Sequence, residues 1–329
     1  MTKITAAITA VGKYLPESKL TNEDLEKMVD TNDEWIFSRT GIKERRILKD
    51  EGKGTSFLAI KACLNLIEKK QLDPKEIELV IVATATPDMQ TAATAAFVAS
   101  EIGAVNAFGF DLEAACSGFL YGMSVASRYI ESGRYKKIIL VGADKNSSMV
   151  DYKDRATCII FGDGAAAALF EPNEEGLGLQ DEYLRSDGIG RDFLRVKHGG
   201  SMYPVTHEVI DNRENFLFQD GKTIFKNAVS KMADAANIIM ERNQLTHEKI
   251  QWLAAHQANK RIIEATGNRV GIDLEKVMIN IENYGNTTSA TIPLLICDYE
   301  HQLKKGDNII FVAFGGGFTW GSIYFKWCY

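Results

Sequence analysis

Cys116 is the side chain of this sequence best placed to act as a nucleophile. It lies in DLEAACSGFLYGMSVASRY, between an apolar run at 107–110 and a segment in which Phe119, Met123, Ala126 and Ile130 recur at helical spacing. The pattern predicts a strand that delivers a thiol to the start of a helix. Unpaired N–H groups and the helix dipole favour an anion there, and the thiolate is the reactive form of cysteine. A thiol of pKa near 8.5 is only about 3% ionised at pH 7. A helix start contributes roughly 0.3–1 kcal/mol, which is less than about one pKa unit, so a useful nucleophile needs a second activating group. The small neighbours Ala114, Ala115, Ser117 and Gly118 leave room for an incoming acyl group, which weighs against a cysteine that merely fills core space.

Two polar residues stand where they can assist. His256 follows the apolar stretch WLAA and opens HQANKRIIEATGNRVG, in which Ile262, Ile263 and Val270 mark a buried helical stripe. It therefore sits at a strand's C-terminal end, where open α/β folds place their ligand chemistry. The other four histidines, His198, His207, His247 and His301, lie in polar or loop contexts that surface positions explain. Asn286 stands in NYGNTTSATIP, in a Gly-containing loop before a helix; an ordinary turn or N-cap asparagine is the plain alternative there. FGGGFTWG at 314–321 follows a strand, and serial glycines let backbone N–H groups approach a ligand closely, as an oxyanion hole requires; a tight hairpin is the plain alternative. FGDGA at 161–165 lacks dinucleotide-loop spacing and reads as a turn.

The elements that must hold these residues form an internal repeat. QLDPKEIELVIV at 71–82 matches QLTHEKIQWLAA at 244–255, an offset of 173, and Gly133 and Gly306 share that offset. Helical segments at about 55–69 and 222–243 precede the matched blocks, and apolar strands at 137–142 and 308–312 follow, with further short strands expected at 158–161 and 322–325. Alternating strands and helices imply βαβ units in two layered α/β halves, residues 1–180 and 181–329, with parallel pairing wherever a helix crosses over. The offset places Ser289 opposite Cys116, so two helix N-termini are expected to face one another.

Composition narrows the remaining possibilities. At 329 residues, 45% of them hydrophobic, the chain is ample for a large core. Five scattered cysteines without a C-x-x-C pair disfavour a disulfide framework and a zinc site, and a reducing cytoplasm fits best. The N-terminal stretch is too polar for a signal peptide, and no run of about 18 apolar residues suggests a membrane span. With 38 basic against 44 acidic residues, a net charge of −6, wholesale nucleic-acid binding is not expected.

Taken together, AACSGF, HQAN, GNTTSA, FGDGA, TNDEWIFSRTGIKER and AFGGGFTWG resemble the β-ketoacyl-[acyl-carrier-protein] synthase III family of thiolase-like condensing enzymes, over residues 11–327. The Cys-His-Asn set separates this branch from elongating ketosynthases, which use two histidines, and from hydroxymethylglutaryl-CoA synthases, which use a glutamate. The resemblance implies a thiolase-like duplicated α/β fold in α-β-α-β-α layers and a homodimer. It implies an acyltransferase that starts fatty-acid synthesis by condensing a short acyl-CoA with malonyl-acyl-carrier protein, using no metal or redox cofactor. Cys116 would carry the acyl group, His256 and Asn286 would hydrogen-bond the malonyl thioester, and the N–H groups of Cys116 and Gly316 would form the oxyanion hole. By the same likeness, Trp35 and Arg155 would flank the adenine of CoA. Thr31, Arg39, Gly221 and Asn259 would line its route, and Lys226, Lys260, Arg261 and Arg269 would dock the acidic carrier protein.

The chain departs from that pattern in several places. QTAA at 90–93 replaces a Phe-Pro-Ser run that gates the acyl pocket across the dimer interface, which suggests a wider pocket. Ala166 and Ala255 replace a common glycine and proline, and the stretch 186–219 is longer than in compact relatives. Three other functions remain for comparison: a papain-like hydrolase, disfavoured by the missing Cys-Gly-Ser-Cys-Trp context; a non-catalytic acyl-binding protein, which would not need the nucleophile; and a related Cys-His-Asn condensing enzyme of secondary metabolism.

Overall fold

A computed structural model describes residues 4–329. The first sheet holds β1 (Thr5–Tyr14), β2 (Leu79–Ala83), β3 (Phe108–Leu112), β4 (Ile138–Lys145) and β5 (Asp163–Asn173), in the order β1-β5-β4-β2-β3. The second holds β6 (Gly178–Ser186), β7 (Trp252–Ala255), β8 (Asn308–Gly315) and β9 (Thr319–Lys326), in the order β7-β8-β9-β6. The two sheets repeat one plan. In each, the first two pairs counted from one edge are antiparallel, β1 with β5 and β5 with β4 in the first, β6 with β9 and β9 with β8 in the second. In each the next pair, β4–β2 or β8–β7, is parallel, as a helical crossover requires. The fifth strand of the first sheet, β3, has only a remnant in the second, an isolated parallel bridge between Leu253 and Val277.

Strand alternation explains the layering. Ile81 and Leu140 point to one face of the first sheet, where they join Phe119, Met123 and Ile130 of the helix that follows Cys116. Val80, Val82, Ile139 and Val141 point to the other, where they meet Leu58, Ala62 and Leu66 of the helix that precedes β2. The helices packed on the two sheets are α1 (Thr55–Lys70), α2 (Thr94–Glu101), α3 (Gly118–Glu131), α4 (Gly221–Arg242), α5 (Lys260–Val270) and α6 (Thr291–Tyr299). α3 and α6 share a core with Phe311, Ile323 and Phe325 of the second sheet and so lie between the sheets, while α4 and α5 cover the outer face of the second. The result is the expected α-β-α-β-α stack. Each fully buried Leu, Ile or Phe of the middle layer contributes roughly 1.5–3 kcal/mol.

Local signals also repeat at the offset of 173. Gln71 and Gln244 end α1 and the Asn243-capped α4 with φ of 53° and 52°, and the 3₁₀ turns Pro74–Glu76 and His247–Lys249 follow at matching positions. Two expectations need correcting. Residues 158–161 are not a strand: Cys158 ends a short helix, Arg155–Cys158, because Cys158, Ile159 and Phe161 are drawn into a side cluster with Leu25 and Ile36. FGDGA is only partly a turn, since Asp163 begins β5 and its buried carboxylate accepts hydrogen bonds from Leu48 N, Ser147 N and Ser147 Oγ.

Candidate active site

The C-terminal ends of β2 and β3, of β7 and β8, and the first turns of α3 and α6 converge on one region. Cys116 occupies the 3₁₀ turn Ala115–Ser117 that leads directly into α3, and Ser289 occupies the turn Thr288–Ala290 that leads into α6. The two turns touch back to back: a Cβ built on Gly118 would lie 3.6 Å from Ser289 Cβ. Each turn carries a non-glycine residue in the left-handed region, Ala115 at φ 46° and Thr288 at φ 53°, again 173 residues apart. Each is held by the side chain two residues before it. Ala115 N donates to Glu113 Oε1 at 2.9 Å, and Thr288 N donates to Asn286 Oδ1 at 2.8 Å. Glu113 and Asn286 are thus equivalent positions of the repeat. Because Asn286 Oδ1 is occupied, its amide NH₂ is the end left for a ligand.

Cys116, His256 and Asn286 line one cavity of about 110 Å³, together with Gly221 and Asn259. A larger cavity of about 480 Å³ opens on the other side of Cys116, lined by Glu113, Ala85, Leu194, Leu217 and Gly316 among others. The thiol is the shared wall. All three polar groups are deeply covered, Cys116 at 6% exposure, His256 at 1% and Asn286 at 5%. The loop GGG closes the β8–β9 hairpin against Cys116, with so little space that a Cβ on Gly315 would come within 2.7 Å of Cys116 N. Hairpin and close backbone approach are both realised there.

Electrostatics revise the expectation for the thiol. Burial pushes Cys116 well above the usual thiol range, and the neighbouring Asp144 and Glu113 add to this. The helix start is outweighed, and the balance favours the protonated thiol. Burial likewise drives His256 down to about 3, leaving a neutral imidazole across the working range. Its Nδ1 lies 2.7 Å from Thr291 Oγ1, at the start of α6. Glu113 is raised to about 7, chiefly by desolvation, although part of its side chain meets solvent at the cavity mouth. Asp144 is fully buried and raised to about 6 by that burial, against hydrogen bonds that favour its ionised form. It accepts from Ser289 N at 2.9 Å, from Ala85 N at 2.7 Å and from Thr84 Oγ1 at 3.1 Å, and so pins the second-half turn to the first sheet. Ser289 Oγ completes the tie through Ala83 O at 2.6 Å.

The remaining candidates divide into three groups. Gly221 and Asn259 share the cavity with Cys116, whereas Thr31, Trp35, Arg39 and Arg155 line neither cavity around the thiol. The guanidinium groups of Arg39 and Arg155 stand 4.7 Å and 4.9 Å from the Trp35 ring centroid, so three of these four form one stacked cluster. Lys226 lies on α4, and Lys260, Arg261 and Arg269 lie on the adjoining α5. Arg269 is paired with Asp234 at 3.2 Å and Lys260 with Glu264 at 3.8 Å, while Arg261 covers Phe225. The long segment after β6 supplies part of the larger cavity's wall through the two-stranded pair Leu194–Val196 and Leu217–Gln219. Gln90 Nε2 donates to Gly199 O in the same segment, so the QTAA stretch and the insertion meet. His198 of this segment is not a surface histidine: its side chain is 9% exposed, with Nε2 3.2 Å from Glu214 Oε2.

Sequence reasoning missed Glu113, Asp144 and Thr291. The offset of 173 links Glu113 to Asn286 and was signal enough for the first; Asp144 and Thr291 act through contacts between the halves that no local pattern announces.

Comparison with known proteins agrees with this architecture. Two family models match, 3-oxoacyl-[acyl-carrier-protein (ACP)] synthase III over residues 110–188 and its C-terminal counterpart over residues 240–327. The chain is 56% identical to β-ketoacyl-[acyl-carrier-protein] synthase III 2 of Bacteroides thetaiotaomicron, across 100% of this chain and 98% of that protein. It is 54% identical, with the same coverage, to β-ketoacyl-[acyl-carrier-protein] synthase III of Porphyromonas gingivalis. The crystal structure of 3-oxoacyl-[acyl-carrier-protein] synthase III from Aquifex aeolicus superposes with a TM-score of 0.89 at 36% identity, covering 98% of this chain and 100% of that one.

Proposed function

The chain belongs to the β-ketoacyl-[acyl-carrier-protein] synthase III family of acyltransferase-type condensing enzymes, and we propose that it condenses an acyl-CoA primer with malonyl-acyl-carrier protein through an acyl group carried on Cys116. The observation that carries this is the convergence of Cys116, His256 and Asn286, one from the first half and two from the second, on a single buried cavity. In the first step the Cys116 sulfur attacks the primer's thioester carbonyl, its proton leaves with the CoA thiol, and the acyl group remains on the enzyme. The pantetheine arm enters by the narrow cavity past Asn259 and Gly221, and the acyl chain occupies the wider one beyond the thiol.

In the second step the malonyl thioester carbonyl accepts hydrogen bonds from His256 and from the Asn286 amide. As carbon dioxide departs, the enolate charge collects on that oxygen. Donors fixed in a dry cavity stabilise it without reorganisation, each typically worth about 2.7–4 kcal/mol. The carbanion then attacks the acyl-Cys116 carbonyl, and the Cys116 and Gly316 N–H groups hold the resulting oxyanion; its collapse breaks the C–S bond, releases the 3-ketoacyl-carrier protein and expels the Cys116 thiolate, which takes up one proton from solvent. A neutral His256 suits this role, since a buried cation beside the thiol would be costly. Acyl-CoA is consumed as a substrate, and these steps call on no metal or redox cofactor.

Trp35 and Arg155 are assigned to the adenine of CoA and Thr31 and Arg39 to its nucleotide; the Arg155 guanidinium, now over Trp35, must swing aside for the base. A homodimer is proposed through the free edge of β3, where Phe108, Phe97 and Val105 are 42%, 52% and 72% exposed. The working compartment is proposed to be the cytoplasm; no helix among the described residues is long and apolar enough to cross a membrane. Intact-mass measurement after exposure to a panel of acyl-CoAs tests the proposal. The wild-type chain should gain one acyl mass, Cys116→Ala none, and His256→Ala should still acylate yet lose decarboxylation of malonyl-carrier protein. An adduct that persists in Cys116→Ala would remove the nucleophile assignment.

A further inference from the structure

The hydroxyl of Thr291 stands between a buried carbonyl, which can only accept, and an imidazole nitrogen, which can donate or accept. It stands 2.7 Å from His256 Nδ1 and 3.1 Å from Thr288 O, in a residue 2% exposed. The Thr288 carbonyl already receives the Thr291 backbone N–H, which closes the turn ahead of α6. One of its two lone pairs is thus engaged without the side chain, while Nδ1 has no other partner among the described residues. Both the shorter distance, 2.7 Å against 3.1 Å, and the backbone N–H already on the carbonyl direct the Thr291 proton to the imidazole.

A neutral imidazole carries one proton on two nitrogens, so a nitrogen that accepts forces the proton to the other. His256 is neutral because burial holds it near 3. We propose that Thr291 is a positioning residue that locks His256 as the Nε2–H tautomer, so that the ring offers the cavity a hydrogen-bond donor and has no lone pair with which to act as a base. The arrangement deepens the donor role given to His256 above and depends on that role for its catalytic consequence; the tautomer itself is independent of it. A basic Nε2 would draw the Cys116 proton and leave a buried imidazolium, whereas a fixed N–H is already oriented at the place where the enolate oxygen forms.

Nitrogen NMR of the full-length protein labelled with ¹⁵N-histidine at pH 7 tests this, with His256 assigned by its disappearance in His256→Asn. In the wild type, the His256 Nδ1 signal should have the shift of a bare nitrogen and Nε2 that of a protonated one. Thr291→Ser should keep this pattern. Thr291→Val, which retains the shape without the donor, should lose it, and its malonyl-carrier-protein decarboxylation measured without acyl-CoA should fall at least tenfold, with Thr291→Ser restoring the rate. A protonated Nδ1 in the wild type, which needs no variant to fold, overturns the proposal, as does an unchanged tautomer in Thr291→Val. A changed tautomer with an unchanged decarboxylation rate would instead uphold the lock and remove His256 from the donor role.

Discussion

His256 combines complete burial with neutrality, and that has a measurable cost in acid. Its pKa falls from an ordinary 6.5 to about 3 on folding. A depressed base binds fewer protons in the folded chain than in the unfolded one, so its contribution to stability is present above pH 6.5 and is lost as pH falls towards 3. At pH 5 the loss is about 2 kcal/mol. The raised carboxylic acids Glu113 and Asp144 work in the opposite direction, because the folded chain holds their protons more tightly as pH falls. Their contribution is common to wild type and variant. Denaturant unfolding at pH 7 and pH 5 should therefore show a drop in stability about 2 kcal/mol smaller in His256→Asn than in the wild type, and equal drops would mean that the imidazole is not desolvated as described. Cys116 shows the converse limit of reading residues alone. Its place at a helix start was legible, but its burial among Asp144 and Glu113 was not, and burial decides the direction of its shift.

The positioning elements are two copies of a strand, a strained turn and a helix, each copy pressed on a glycine of the other half. Gly315 ends β8 against the Cys116 turn, and Gly142, 173 residues earlier in β4, lies against the Ser289 turn. A Cβ would come within 2.7 Å of Cys116 N in the first case and 2.4 Å of Ser289 O in the second, and both neighbours are backbone that cannot rotate away. Alanine at either position should cost about 1–3 kcal/mol in thermal or denaturant unfolding. Gly315→Ala should also slow acylation by acyl-CoA at least tenfold, because it displaces Cys116, the proposed nucleophile. Gly188→Ala, whose Cβ meets nothing within 4 Å, is the control that should leave both unchanged. Much of this repeat was legible because QLDPKEIELVIV and QLTHEKIQWLAA keep their spacing, and the same arithmetic leads from Asn286 back to Glu113. Asp144 was hidden because its partner Ser289 is 145 residues away in the chain, and the short helix ending at Cys158 was misread because an apolar tetrapeptide has no period of its own.

Across the molecule, an acidic chain of net charge −6 presents a basic face on α4 and α5, and internal pairing grades that face. Asp234 already engages Arg269, and Glu264 engages Lys260, whereas Lys226 and Arg261 make no ion pair among the described residues. A free rim cation gains more from an acidic partner than one that must first leave its own carboxylate. If this face docks the carrier protein, Arg261→Glu should raise KM for malonyl-carrier protein about 5–10-fold at low ionic strength, an effect of roughly 1–1.4 kcal/mol. Arg269→Glu should raise it less, because Asp234 has already offset part of that charge. Both effects should shrink towards 1 M salt, where screening shortens to about 3 Å, and kcat should hold because neither side chain lines the cavity of Cys116. Steady-state kinetics with carrier protein at several salt concentrations measures all three. An equal response from the two arginines, or one indifferent to salt, would mean that the partner approaches by another face.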